Sequence, residues 1–127
     1  DRSISGWYNF SSISNTNGTE TWLTGFGSQG ATGQEFYITL RGTGTATRFQ
    51  ADIYGEAQSG TVDTGLTTGG WHHIALVYTA SGTSWAYYLD GSLKDTITKA
   101  NLNTPATPSE LNIGGRMTYG AYFTGVA

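Results

Sequence analysis

In Phe36-Tyr37-Ile38-Thr39-Leu40-Arg41 every second side chain is large and apolar. The same two-residue period returns in Arg48-Phe49-Gln50-Ala51-Asp52-Ile53-Tyr54. A strand sends successive side chains to opposite faces, so this period predicts half-buried β-strands. No stretch keeps a helical period for three turns. Clusters of Gly, Ser, Thr and Asn interrupt each apolar run within about ten residues, the spacing of an all-β sandwich. Strands are predicted at Ile4–Phe10, Glu20–Gly25, Glu35–Arg41, Thr47–Tyr54, Trp71–Thr79, Ser84–Leu89, Ser92–Thr98, Glu110–Ile113 and Tyr119–Val126. The intervening loops are Ser11–Thr19, Gly27–Gly33, Gly55–Gly70 and Ala100–Ser109. Pro105 and Pro108 fall in the last of these, where no ladder donor is needed.

Alternation assigns faces. Phe36, Ile38 and Leu40 point one way, as do Phe49, Ala51 and Ile53. The opposite positions collect Tyr37, Thr39, Arg41, Arg48, Gln50, Asp52 and Tyr54, with His73 and Tyr88 from later strands. If these strands share a sheet, its outer face is polar and studded with aromatic rings. Between Leu89 and Ser92 stands Asp90-Gly91, a dipeptide that favours a two-residue type I′ hairpin because both central residues need positive φ.

The segment Trp71-His72-His73-Ile74-Ala75-Leu76-Val77-Tyr78, a short Ser/Gly/Thr turn, and then Trp85-Ala86-Tyr87-Tyr88-Leu89-Asp90-Gly91 form an ordered pattern. Leu111-Asn112-Ile113-Gly114-Gly115-Arg116 and Tyr122-Phe123-Thr124-Gly125 follow. From about Ser3 to the C-terminus this order resembles the laminin-G-like branch of the concanavalin A-like lectin/glucanase superfamily. The resemblance implies an antiparallel two-sheet jelly-roll β-sandwich, built as a single domain over residues 1–127. It implies that Ile74, Leu76 and Tyr78, and then Trp85, Tyr87 and Leu89, point inward. It also implies a concave sheet carrying the polar, aromatic face. Family members generally run on into a further strand, so a last strand is expected to be missing here.

Composition narrows the function classes. Only 12% of residues are charged, against roughly 25% in an average soluble domain. Hydrophobic residues make up 37% and aromatic ones 13%, enough for a packed core in 127 residues. The net charge is −3 with no basic run, which disfavours nucleic acid, whose phosphates call for a Lys/Arg footprint. Cysteine is absent, so disulfides and thiolate metal sites are excluded. No apolar stretch approaches the ~18 residues of a membrane span. Asp1-Arg2 leads directly into the first strand, which reads as a mature or excised segment.

Glycoside hydrolysis needs two carboxyl groups about 5–5.5 Å or 6.5–9.5 Å apart. The glucanase relatives carry Glu, Asp and Glu at alternate positions of one strand, and no such run occurs here. Asp52 and Glu56 are the nearest pair, so no enzyme activity is expected. His72 and His73 are adjacent on a strand and face opposite ways, so a histidine hydrogen-bonded to a neighbouring strand or loop is favoured over metal binding or catalysis. Calcium is the metal the resemblance implies, held by hard oxygen ligands; Asp52, Glu56 and Asp63 are its candidates, with Asn15, Asn17 and Glu20 a weaker set. The same residues also read as solvated turn positions. Tyr37, Arg41, Arg48, Gln50, Tyr54 and Tyr88 are the candidate glycan platform, because pyranose rings stack on aromatic planes beside hydrogen-bonding groups. Cross-strand aromatic pairing without a ligand is the competing account. Asn9-Phe10-Ser11 and Asn17-Gly18-Thr19 match the N-glycosylation sequon.

The expected function is a non-catalytic carbohydrate-recognition or adhesion module of a larger extracellular, cell-surface or virion-surface assembly, its partners a glycan or neighbouring subunits in repeated copies. The alternative is a purely structural decoration or packing domain that makes protein–protein contacts only.

Overall fold

The computed structural model describes residues 1–28, 31–100, 102–103, 110–116, 121–122 and 124–127. Its strands are β1 (Arg2–Phe10), β2 (Glu20–Gly27), β3 (Glu35–Gly42), β4 (Thr47–Asp52), β5 (Ala57–Ser59), β6 (Trp71–Thr79), β7 (Ser84–Leu89), β8 (Ser92–Thr98), β9 (Glu110–Ile113), β10 (Gly115–Arg116), β11 (Ala121–Tyr122) and β12 (Gly125–Val126). Two five-stranded antiparallel sheets form, ordered β12-β1-β6-β7-β8 and β5-β4-β3-β2-β9, with β10-β11 as a small separate pair. A single 3₁₀ turn at Ala80–Gly82 joins β6 to β7, and no α-helix occurs among the described residues.

The facing sides of the two sheets form the core that alternation predicts for β3 and β4 and that the family resemblance implies for β6 and β7. Phe36, Ile38, Leu40, Phe49, Ala51 and Ile53 come from one sheet, and Ile74, Leu76, Tyr78, Trp85, Tyr87 and Leu89 from the other. Each of the large side chains among these contributes about 1.5–3 kcal/mol on burial before entropy is subtracted. Phe49 stacks on Tyr87 with ring centroids 4.6 Å apart. The Tyr87 hydroxyl donates to the Gln50 carbonyl at 2.8 Å, tying the sheets together. Burial pushes the Tyr87 phenol well above its ordinary 10.0, and the nearby Asp52 and Asp95 charges push the same way.

Asp90 and Gly91 form the predicted hairpin. Their φ values are 51° and 80°, and Leu89 pairs with Ser92. Other expectations change. The strand predicted over Thr47–Tyr54 stops at Asp52, because Tyr54 and Gly55 take φ of 57° and 74° and turn the chain. Ala57–Ser59 then pairs back on β4 inside what reads as a loop in the sequence. The strand expected over Tyr119–Val126 is two short strands in two different sheets, and Tyr119, Gly120 and Phe123 lie outside the described residues. So do Gln29, Gly30, Pro105 and Pro108.

One irregularity shapes the site. The β2–β3 register shifts between Trp22 and Thr24, leaving Leu23 as an extra residue. Leu23 joins the core, while Trp22, paired with Thr39, lies on the outer face. A bulge of this kind re-aims side chains without ending the strand.

A candidate cleft on the outer face of the second sheet

The predicted polar residues do not share one face. Tyr37, Arg41, Arg48, Gln50 and Asp52 belong to the β5-β4-β3-β2-β9 sheet. Tyr88 and His73 belong to the other sheet, where Tyr88 pairs with Ala75 and His73 with Trp7. Tyr88 therefore lies on the opposite side of the sandwich and cannot join a site with the rest. Alternation assigns inside and outside within a strand, but it is silent on which strands pair.

On the second sheet the outer face is a tight polar lattice. Glu20 Oε1 accepts from Arg41 Nη1 at 2.6 Å and from Gln50 Nε2 at 3.0 Å. The same Gln50 nitrogen reaches Asp52 Oδ2 at 3.3 Å, and its oxygen accepts from Ser59 Oγ at 3.2 Å. Arg41 and Arg48 stand directly opposite each other across β3 and β4, a like-charge pair that disfavours the sheet unless neutralised. Glu20 supplies the neutralising charge to Arg41. Arg48 Nε is buried with no hydrogen-bond partner among the described residues. Tyr37 is fully buried, its ring edge-on to Trp22 at 5.1 Å and its hydroxyl accepting from Asn112 Nδ2 at 2.6 Å. The ring lies over Gly25, where a Cβ would collide with it. Tyr37 and Gln50 thus build the floor of this face and present no surface to a ligand.

At its open end the lattice borders a cleft of about 270 Å³ lined by Glu20, Trp22, Asp52, Tyr54, Gly55, Glu56 and Ala57. Tyr54 holds a left-handed backbone, which costs a non-glycine residue roughly 1–2 kcal/mol. Asp52 Oδ1 steadies it by accepting from the Tyr54 amide at 3.3 Å. Glu56 is paired with Lys99 Nζ at 2.6 Å. Of the calcium candidates, Asp52 and Glu56 share this cleft, but Asp63 does not. Asp63 lines a separate cleft of about 460 Å³ among threonines, and its carboxylate accepts from the Gly65 amide at 3.1 Å. Among the described residues no three His, Cys, Asp or Glu side chains converge as a metal set. Asn15 also lines the larger cleft, whereas Glu20 lines the smaller.

The hydrogen-bonded histidine expected from the sequence is His72. His72 bonds Asp90 Oδ2 through Nδ1 at 2.9 Å and Thr67 Oγ1 through Nε2 at 3.1 Å. His73 instead packs its ring against Trp7, centroids 5.2 Å apart. Asp90 also accepts from the His73 amide at 2.9 Å. The hydrogen bond from His72 draws the Asp90 carboxyl below its ordinary 3.8, helped by the His73 amide and by the two histidines' charge.

Sequence reasoning missed Trp22 and gave Glu20 only a minor role. The bulge at Leu23 left no local signal, since it exists only against β3. Trp7 and Trp71 were missed as outward residues, although alternation carries the signal: Tyr8 and Phe10 are buried in β1 and Ile74 in β6, which leaves Trp7 and Trp71 outside.

The laminin-G family model described as the concanavalin A-like lectin/glucanases superfamily matches residues 1–126. No curated protein matches the sequence. With two antiparallel sheets packed on one core and a family match spanning nearly the whole chain, the protein belongs to the concanavalin A-like lectin/glucanase superfamily.

Proposed function

We propose that the protein is a non-catalytic carbohydrate-recognition or adhesion module of an extracellular, cell-surface or virion-surface assembly, and that the Trp22–Tyr54 cleft is its saccharide site. The superfamily supports a carbohydrate-binding or adhesion-type role. Among the described residues, no helix is long and apolar enough to cross a membrane. The observation that carries the reading is Tyr54. A turn position that suits Gly or Asn holds a tyrosine, half-buried at the cleft beside three carboxylates, while Trp22, 1% exposed, is part of the wall behind it. Backbone strain of this kind persists where the surrounding structure imposes it, and it collects at ligand-contacting positions. An aromatic plane such as the Tyr54 ring stacks on the C–H face of a pyranose, and carboxylate oxygens accept from its hydroxyls.

Laminin-G-like domains are generally non-catalytic, although the superfamily includes glucanases. The cleft favours the first. A hydrolase needs one carboxyl group to give a proton to the leaving oxygen. Here Glu20 accepts from Arg41 and Gln50, Asp52 from Gln50 and the Tyr54 amide, and Glu56 from Lys99. All three act as acceptors for fixed donors.

A single shallow site of this size binds with a dissociation constant near the millimolar level, about −4 kcal/mol, so useful avidity calls for several copies on one particle. Glycan-array screening followed by calorimetry tests the assignment. Binding that survives chelator and is lost in Tyr54→Ala is the expected result. Binding to no glycan would replace this reading with that of a packing domain.

A further inference from the structure

The outer face of the other sheet differs in chemistry from the cleft. The β1–β6 register sets Trp7 opposite His73 and Asn9 opposite Trp71. All four residues point away from the core, since their neighbours Tyr8, Phe10 and Ile74 are buried. They form a square in which rings and hydrogen-bonding groups alternate: indole and imidazole in one row, amide and indole in the next. Diagonal partners on adjacent strands lie within reach of aromatic side chains. Trp7 is 59% exposed and Trp71 52%. Contiguous exposed apolar surface marks interaction sites, and the register makes these two indoles diagonal neighbours.

Three properties select the ligand. First, no Asp, Glu, Lys or Arg occupies an outward position of β1, β6 or β7, and the Asp90 carboxylate at the edge of the face is already engaged by His72 and the His73 amide, so these strands offer no cation to an anionic polymer or a phosphate. Second, Ser5 and Ala75, paired beside the square, are small and leave the surface low between Trp7 and Tyr88. An extended flat ligand fits such a floor. A protein surface needs interdigitating aliphatic side chains, and a standard interface buries about 1,200–2,000 Å². Third, the Trp7–His73 ring contact holds one indole in place before binding, which lowers the entropy cost of stacking.

We infer that the β1–β6–β7 face is a second saccharide-binding surface, one that stacks Trp7 and Trp71 on the pyranose faces of a neutral, extended polysaccharide while Asn9 and His73 bond its hydroxyls. It lies across the sandwich from the cleft, so the module grips glycan on both sides. Its ligand is an uncharged polymer.

The test is retention of the protein on microcrystalline cellulose, on chitin and on a soluble mixed-linkage β-glucan in affinity electrophoresis, with heparin as the charged control. Retention on at least one neutral polymer, insensitive to salt, is expected. Trp7→Ala and Trp71→Ala should each lower it about tenfold, Trp7→Phe should restore most of it, and Tyr54→Ala should leave it intact. In the wild type, acrylamide quenching of tryptophan emission should fall when the soluble ligand is added, a readout independent of any variant's folding. Absence of retention on every neutral polymer, retention unchanged in both tryptophan variants, or quenching unaffected by ligand overturns the inference. So does tryptophan-dependent self-association in sedimentation, which would make the face an interface between copies. If Tyr54→Ala alone abolishes binding, the cleft stands and this surface falls; the converse outcome separates them the other way.

Discussion

The two outer faces of this sandwich follow the same alternation rule and end in opposite states. On β2–β3–β4 the outward residues Tyr37, Thr39 and Gln50 are as buried as the core itself. On β1–β6 the outward residues Trp7 and Trp71 stand more than half open. The first face spends its side chains on one another, through Glu20, Arg41, Gln50, Asp52 and Ser59. The second leaves its rings to solvent. Pointing outward and being available to a ligand are separate properties. Only cross-strand neighbours and covering segments decide between them.

The largest test of this contrast is a pair of truncations. Tyr37→Ala should destabilise by about 3–5 kcal/mol, because it opens a cavity under Trp22 and removes the hydroxyl that accepts from the buried Asn112 amide. Trp7→Ala, more than half exposed to solvent and, among the described residues, in ring contact with His73, should cost under about 1 kcal/mol. Urea unfolding of both measures the difference. Equal costs would mean the two faces are not distinct in packing.

Next comes the polar lattice. Glu20→Ala leaves Arg41 without its 2.6 Å partner and removes one of the two acceptors of the buried Gln50 amide. A loss of about 1–3 kcal/mol is expected by chemical denaturation. Glu56→Ala, whose bond to Lys99 is exposed, should change stability by no more than about 1 kcal/mol. A lattice that mattered only as surface charge would give both variants the same small value.

How much of this was legible beforehand depends on whether the cause was local. Strand ends at Trp71–Thr79, Ser84–Leu89, Ser92–Thr98 and Glu110–Ile113 coincide with the observed ones. There a run of apolar or β-branched residues meets Gly, Asp or Ser, and nothing distant intervenes. The inward sets of β3 and β4 were legible for the same reason, whereas those of β6 and β7 came from the family resemblance, because β6 is apolar on both faces. Ala57–Ser59 was not, because three small or polar residues carry no periodic signal and pair only because Tyr54-Gly55 turns the chain onto β4. Tyr88 was joined to Tyr37 because alternation carries no information about sheet membership. The cleft itself is assembled from Glu20, Trp22 and Asp52 on β2 and β4, brought together through β3, and no spacing along the chain encodes that.

Tyr54 allows a prediction in which stability and binding move oppositely. At φ of 57° an Asn is less strained than a Tyr, so Tyr54→Asn should raise stability by about 1 kcal/mol while weakening glycan binding at the cleft. Thermal unfolding and calorimetry on one sample read both effects. A variant that is less stable would show that the ring contributes packing the left-handed backbone does not offset, and the functional argument from strain would fail.

The smallest effect lies at the edge of the open face, where Asp90 ties the β7–β8 hairpin to His72 and the His73 amide. Asn tolerates the positive φ found here, so Asp90→Asn keeps the turn and removes the charge. The Asp90 carboxyl is drawn below its ordinary 3.8 chiefly by the His72 hydrogen bond. A depressed carboxyl group binds its proton less readily folded than unfolded. Its contribution is therefore fully present above the unfolded value and disappears as pH falls through the lower folded one. The side chain is half exposed, so solvent screening holds the contribution to a few tenths of a kcal/mol. The wild type should melt slightly above Asp90→Asn at pH 6, and the gap should begin to shrink near 3.8 and close as the pH falls through the lower folded value. The buried Tyr87 acts at the other end of the scale. Its raised phenol favours the fold below pH 10, so the loss there comes as the solution turns more alkaline and is the same in both proteins. A gap that persists in acid, or one that opens only above pH 10, would show that Asp90 acts through the shape of the turn and not through its charge.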